Sequence, residues 1–147
     1  MKREASEKYL AQQVMSASPA KLVAMLYDRA IMLLHEAIAA IEAGDFERRW
    51  KANGKASEII AELWQALDLD AGGEIAANLN QLYGFMTMRL TMVDVENNAQ
   101  AAREVIGLLD PLRQSWHQLA LDNDSAATTE VESTSVTGAA TQISLSA

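Results

Sequence analysis

Residues 18–45 read SPAKLVAMLYDRAIMLLHEAIAAIEAGD, and this stretch decides the fold. Ser18 has the side chain of a helix N-cap. Pro19 stands at the first helical position, where its missing N–H costs no hydrogen bond. Gly44 supplies the left-handed residue that commonly ends a helix. The spacing therefore predicts a helix from Pro19 to Ala43. At about 100° per residue, Leu22, Val23, Leu26, Tyr27, Ala30, Ile31, Leu33, Leu34, Ala37, Ile38 and Ile41 fill an arc of roughly 180°. An arc that wide touches two neighbouring helices. Lys21, Asp28, His35, Glu36 and Glu42 take the other side, with Met25 and Met32 among them.

Asp45 is placed to cap a second helix ending near Leu67. The connection of Gly44 and Asp45 is so short that the two helices are expected to be antiparallel neighbours. The second helix is expected to bury Phe46, Trp50, Ala56, Ile60, Leu63, Trp64 and Leu67. Glu47, Lys51, Lys55, Glu58 and Glu62 form its polar face, and Gly54 inside it costs about 1 kcal/mol relative to alanine. After a turn in DLDAGGEIA, a third helix runs from about residue 74 to 93. Ile75, Leu79, Leu82, Met86, Leu90 and Val93 step by three or four along one face. Phe85, Met88 and Met92 make a second stripe away from the first.

Asn97 or Asn98 caps a fourth helix to about Leu121. Its inward face is Ala102, Val105, Ile106, Leu109, Leu112, Trp116 and Leu119. Pro111 projects from the opposite face, removes one backbone hydrogen bond and bends the helix convex outward. The expected fold is all-α, an antiparallel four-helix bundle over residues 18–121. Residues 122–147 are rich in serine, threonine and alanine, bury too little to offset ordering entropy, and are expected to be a disordered tail. Residues 1–17 form a short N-terminal segment in which Tyr9, Leu10 and Val14 can make one amphipathic turn.

The chain of 147 residues suits one domain. It has no cysteine, so disulfides and thiolate metal sites are excluded. The charged start MKREASEKYLAQQ is no signal peptide, and no stretch has the roughly 18 apolar residues needed to span a bilayer. A cytoplasmic protein with no membrane insertion is expected. Net charge is −8. The tail holds four acids and no base, which leaves 16 acids against 12 bases in the body. Without a basic block, nucleic-acid binding is not expected.

Chemistry finds little purchase. There is no phosphate-binding glycine loop. Bundle metal sites use Glu-x-x-His pairs, but Met32 and Gln114 stand three residues before His35 and His117. A phosphotransfer bundle would place a basic residue three positions after its histidine, and Ile38 and Ala39 follow His35 instead. No catalytic residue, metal or cofactor is expected. The off-stripe residues Met25, Met32, Phe85, Met88 and Met92 admit two readings. They either pack laterally within the bundle or line a groove for a partner helix, a role methionine suits because it adapts to varied apolar surfaces.

Four stretches in order, YLAQQVMSASPAKLVAMLYDRAI, KASEIIAELWQALD, GGEIAANLNQLYGFMTMRL and VIGLLDPLRQSW, give the chain a family resemblance. It resembles the flagellin-specific export chaperones (FliS) from about Tyr9 to Trp116. The resemblance implies a non-enzymatic bacterial cytoplasmic bundle that binds the C-terminal segment of flagellin. It implies that the bundle prevents premature polymerisation and delivers the subunit to the flagellar export apparatus. It further implies that the client wraps around the bundle, and that the N-terminal segment, through Tyr9 and Val14, lies over a client pocket until displaced. Arg29 in place of the usual glycine, Gly54 and Pro111 depart from the family pattern and bear on the groove's shape. The alternatives are a helical adaptor or regulator of another flagellar protein and, more remotely, a histidine phosphotransfer bundle.

Overall fold

A computed structural model of the chain describes Lys8 and residues 17–146, with side chains described for Lys8 and residues 17–125. Four helices follow in order: α1 (Pro19–Ala43), α2 (Phe46–Gln65), α3 (Gly73–Val95) and α4 (Ala99–Ser146).

The helix ends follow local chemistry. Ser18 Oγ accepts from the Lys21 N–H at 3.2 Å, capping α1. At its other end Gly44 adopts φ +70°. The Gly44 N–H then meets the Ile41 carbonyl and the Asp45 N–H meets Ala40, the paired bonds of a Schellman motif. Asp45 caps α2 through the Arg48 N–H at 3.1 Å. Asn97 ends α3 in the left-handed region at φ 54°, tolerated because its short polar side chain carries a small penalty there. Asn98 then caps α4 through the Ala101 N–H at 3.0 Å. In the turn before α3, a Cβ on Gly72 would collide with the Asp68 carbonyl and the Ala76 side chain, so only glycine fits.

The chain divides into two compact units, Met1–Leu22 with Ser115–Ala147, and Val23–Gln114. The second contains parts of all four helices, and its polar contacts give their order around the bundle. Arg48 of α2 pairs with Glu36 of α1. Asn53 and Trp64 of α2 bond to Leu90 and Asn80 of α3, in antiparallel register. Arg89 of α3 pairs with Glu104 of α4, and Arg103 and Arg113 of α4 pair with Glu42 and Asp28 of α1. The helices thus run in a ring, with α1 and α3 at opposite corners. Inside are Ala24, Tyr27, Ala30, Leu34, Ala37, Ala56, Ile60, Met86, Leu90, Val93, Val105 and Leu109, all buried.

Five residues expected on inward faces, Leu22, Phe46, Trp50, Ile75 and Leu119, are exposed instead. Phe46 and Trp50 are exposed, Trp50 at 63%, and Asn53 is buried in their place. The buried arc of α2 is turned toward Ala52, Asn53, Ala56 and Ile59. Phe46 begins the helix and rests instead against the Arg49 guanidinium, 5.3 Å from its ring centre. Ile75 is 74% exposed. It shares a helical phase with Val93, but Ala76 is the residue of that first turn that is buried. In the other unit Ala20 and Ala120 are buried, Trp116 is half-buried, and Leu22 and Leu119 are exposed. After Ala120 none of the described side chains of α4 is buried. From there to its end this helix has no described face against a core, and local propensity alone is a weak support.

Candidate functional site

The seven residues singled out from the sequence fall into three places. Tyr9 and Val14 lie outside the described residues. Met25 and Met32 stand on the outer side of α1, half-buried and 56% exposed respectively. Phe85 and Met88 stand on the outer side of α3, 43% and 52% exposed, with half-buried Met92. Because α1 and α3 occupy opposite corners, the two groups face away from each other and do not line one groove.

The α3 group is the more coherent. By helical projection Phe85, Met88 and Met92 lie opposite Met86, Leu90 and Tyr83, the residues it turns inward. Between Ile75 and Val95 the helix carries just two charges, Arg89 and Asp94. Both are committed sideways: Arg89 Nε sits 2.9 Å from Glu104, and Asp94 Oδ1 accepts from Arg49 Nε at 3.2 Å. The outer face is left without an ionic partner of its own. On the side of α3 marked by Arg89, Leu82 is half-buried. Leu108 and Leu112, on the side of α4 marked by Glu104, are half-buried too. Thr87 and Thr91 spend their hydroxyls on the Tyr83 and Thr87 carbonyls, so they add little polarity to the ridge.

The α1 group is smaller and wetter. Met32 and Ile31 border a cleft of about 400 Å³ between α1 and α4. His35, Asp28, Asp110 and Arg113 complete it. Arg113 there donates to Asp110 at 3.0 Å and lies 3.6 Å from Asp28. His35 shares this cleft with Asp28, Asp110 and the Arg113 that pairs with both. A second cleft of about 340 Å³, between α1 and α2, is lined mainly by Glu36, Glu47, Arg48, Lys51 and Lys55 and offers a charged wall.

Among the described residues no group of three ligating side chains is placed to hold a metal, and no helix is long and apolar enough to cross a membrane. Periodicity missed Ile75 and Leu108 as surface and half-exposed apolar residues. It also missed Trp50, exposed near the start of α2, and Val95, exposed at the end of α3. The alternation of apolar and polar residues shows which side of a helix turns inward, but not how far a neighbour extends to cover it.

An all-helical bundle with an uncharged, partly exposed apolar face on one helix has the surface chemistry that suits a partner helix. The chain belongs to the flagellar protein FliS family, whose model matches residues 1–124. It is 44% identical over 107 residues to the flagellar secretion chaperone FliS of Salmonella typhimurium, covering 72% of this chain and 79% of the relative. It is 34% identical over 119 residues to the flagellar secretion chaperone FliS of Vibrio cholerae, covering 81% and 88%. A bacterial flagellar chaperone of known crystal structure shares the fold, with a TM-score of 0.65 at 19% identity over 84% of this chain and 99% of that one.

Proposed function

We propose that this protein is the cytoplasmic export chaperone for flagellin. It binds flagellin's C-terminal segment, keeps it from polymerising early, and hands the subunit to the flagellar export apparatus. The observation that carries this reading is the outer face of α3, where Phe85, Met88 and Met92 stand exposed or half-exposed with no free charge beside them. A disordered segment that folds on binding needs a broad apolar surface, since its ordering costs about 2–5 kcal/mol or more. The mechanism is occlusion. Client surface laid on α3 is withheld from other flagellin molecules, and no bond is made or broken, so no catalytic residue or cofactor takes part.

A client that wraps the bundle accounts for the two separate groups of residues. One helical piece lies along α3 and another reaches Met25, Met32 and the cleft between α1 and α4. Tyr9 and Val14 belong to a segment that covers client surface in the free protein and yields when flagellin arrives. Residues 122–147 lie beyond the chaperone body and are not needed for the fold. Titration of a flagellin C-terminal peptide into the full chain tests the reading. Saturable binding with a gain of helical circular dichroism is expected; absence of binding, with another flagellar protein captured instead, would favour the adaptor alternative.

A further inference from the structure

One buried polar side chain, Asn53, sits among the apolar residues that α2 and α3 share, 2% exposed. Its Nδ2 donates to the Leu90 carbonyl at 2.8 Å and to Asp94 Oδ2 at 2.9 Å. Its Oδ1 is buried with no hydrogen-bond partner among the described residues. Turning the amide over would set that oxygen against two acceptors, so the group can only donate here. An unmet buried acceptor lowers stability. Leucine has the same number of side-chain heavy atoms and the same branching. It would remove the unmet acceptor, and the two bonds it gives up leave Leu90 in its own helix and Asp94 still paired with Arg49. The chain thus keeps a residue that burial alone does not favour.

What the amide supplies, and leucine cannot, is direction. The Leu90 carbonyl and the Asp94 carboxylate are one turn apart on α3, and a single NH₂ group meets both. That is satisfied at one rotation and one axial position of α3 on α2. Apolar ridges alone tolerate neighbouring registers, and a buried polar group is a known means of selecting one. Arg49 extends the same lock: its Nε bonds Asp94 Oδ1 and its Nη1 donates to Asn97 Oδ1 at 2.8 Å. Leu90 and Asp94 bracket Met92, and Met88 stands two residues before Leu90. A slip of one residue would turn both methionines by about 100°.

We propose that Asn53 is a positioning residue: it fixes the register of α3 on α2, at a cost in stability, so that Met88 and Met92 face the client. The functional half of this rests on the reading of α3 as the flagellin face. The test is Asn53→Leu in the full chain. Its urea midpoint is expected to equal or exceed that of the wild type. The methyl resonances of Met88 and Met92 are expected to be single in the wild type and to double or broaden in the variant. Affinity for the flagellin C-terminal peptide is expected to fall about fivefold or more, as the competent register becomes a minor population. An unfolded variant, or one with a clearly lowered midpoint, overturns the proposal, because the amide is then a net stabiliser. Single methionine resonances at wild-type positions overturn it equally, and shifted resonances with undiminished affinity overturn the link to the client. If the wild type binds no flagellin peptide, the functional reading fails by itself, while the methyl spectra still decide whether Asn53 sets the register.

Discussion

The hydroxyls of Tyr27 and Tyr83 hydrogen-bond to each other within the core, joining α1 to α3 across the diagonal of the bundle. This contact ties the two helices whose outer sides carry the exposed methionines. Tyr83→Phe removes the bond and is expected to lower unfolding free energy by about 1 kcal/mol or somewhat more. Urea denaturation measures it, and an unchanged midpoint would mean the pair contributes nothing.

The same tyrosine gives a pH dependence with a definite sign. Burial raises the Tyr83 phenol above its ordinary value of 10.0, and the hydrogen bond with Tyr27 opposes this more weakly. Folding therefore favours the neutral form. The stability it confers is whole below the unfolded-state value and is lost as pH rises through the raised folded-state value. Between about pH 9.5 and 11, Tyr83→Phe is expected to lose stability less steeply than the wild type. Equal slopes would contradict a buried, neutral Tyr83.

The four helices and most of their ends were legible because those ends are written locally: Ser18 and Pro19, Gly44 and Asp45, Asn97 and Asn98 each carry their own capping chemistry; the far end of α4 was not, since the helix continues to Ser146 where an end near Leu121 was expected. Most inward stripes were legible for the same reason, since a period near 3.6 is a property of one helix. Coverage was not. Whether Trp50, Ile75 or Leu119 meets a neighbour depends on where another helix lies, and no local pattern encodes that. Asn53 was missed because an isolated amide on a helix reads as surface; its partners, Leu90 and Asp94, come from a helix distant in sequence. Phe85, Met88 and Met92 stand out in the sequence because they break the pattern of their own helix.

Removal of residues 122–147 is expected to leave the thermal midpoint within about 2 °C of the full chain. The described side chains of that segment, 122–125, are all exposed, and the last buried side chain described is Ala120. A large drop in midpoint on truncation would show that the segment packs on the folded body.

Tyr9→Ala with Val14→Ala tests the cover assigned to the N-terminal segment. If that segment occupies client surface, it lowers apparent affinity by the fraction of time the surface is closed. The double variant is then expected to bind flagellin peptide more tightly or faster, and to be less stable when free. Weaker binding by a folded variant would show that these side chains touch the client directly.

The most direct test of the account is calorimetric titration of a flagellin C-terminal peptide into three proteins: the wild type, Met88→Asp with Met92→Asp, and Lys51→Ala on the charged cleft between α1 and α2. The double variant is expected to lose about tenfold or more in affinity, close to 1.4 kcal/mol. Its circular dichroism should match the wild type, and its midpoint should fall by no more than about 5 °C. Lys51→Ala is expected to bind as the wild type does. Wild-type affinity in a folded double variant would contradict the assignment of the α3 face to the client, and an unfolded double variant would show that these methionines belong to the core.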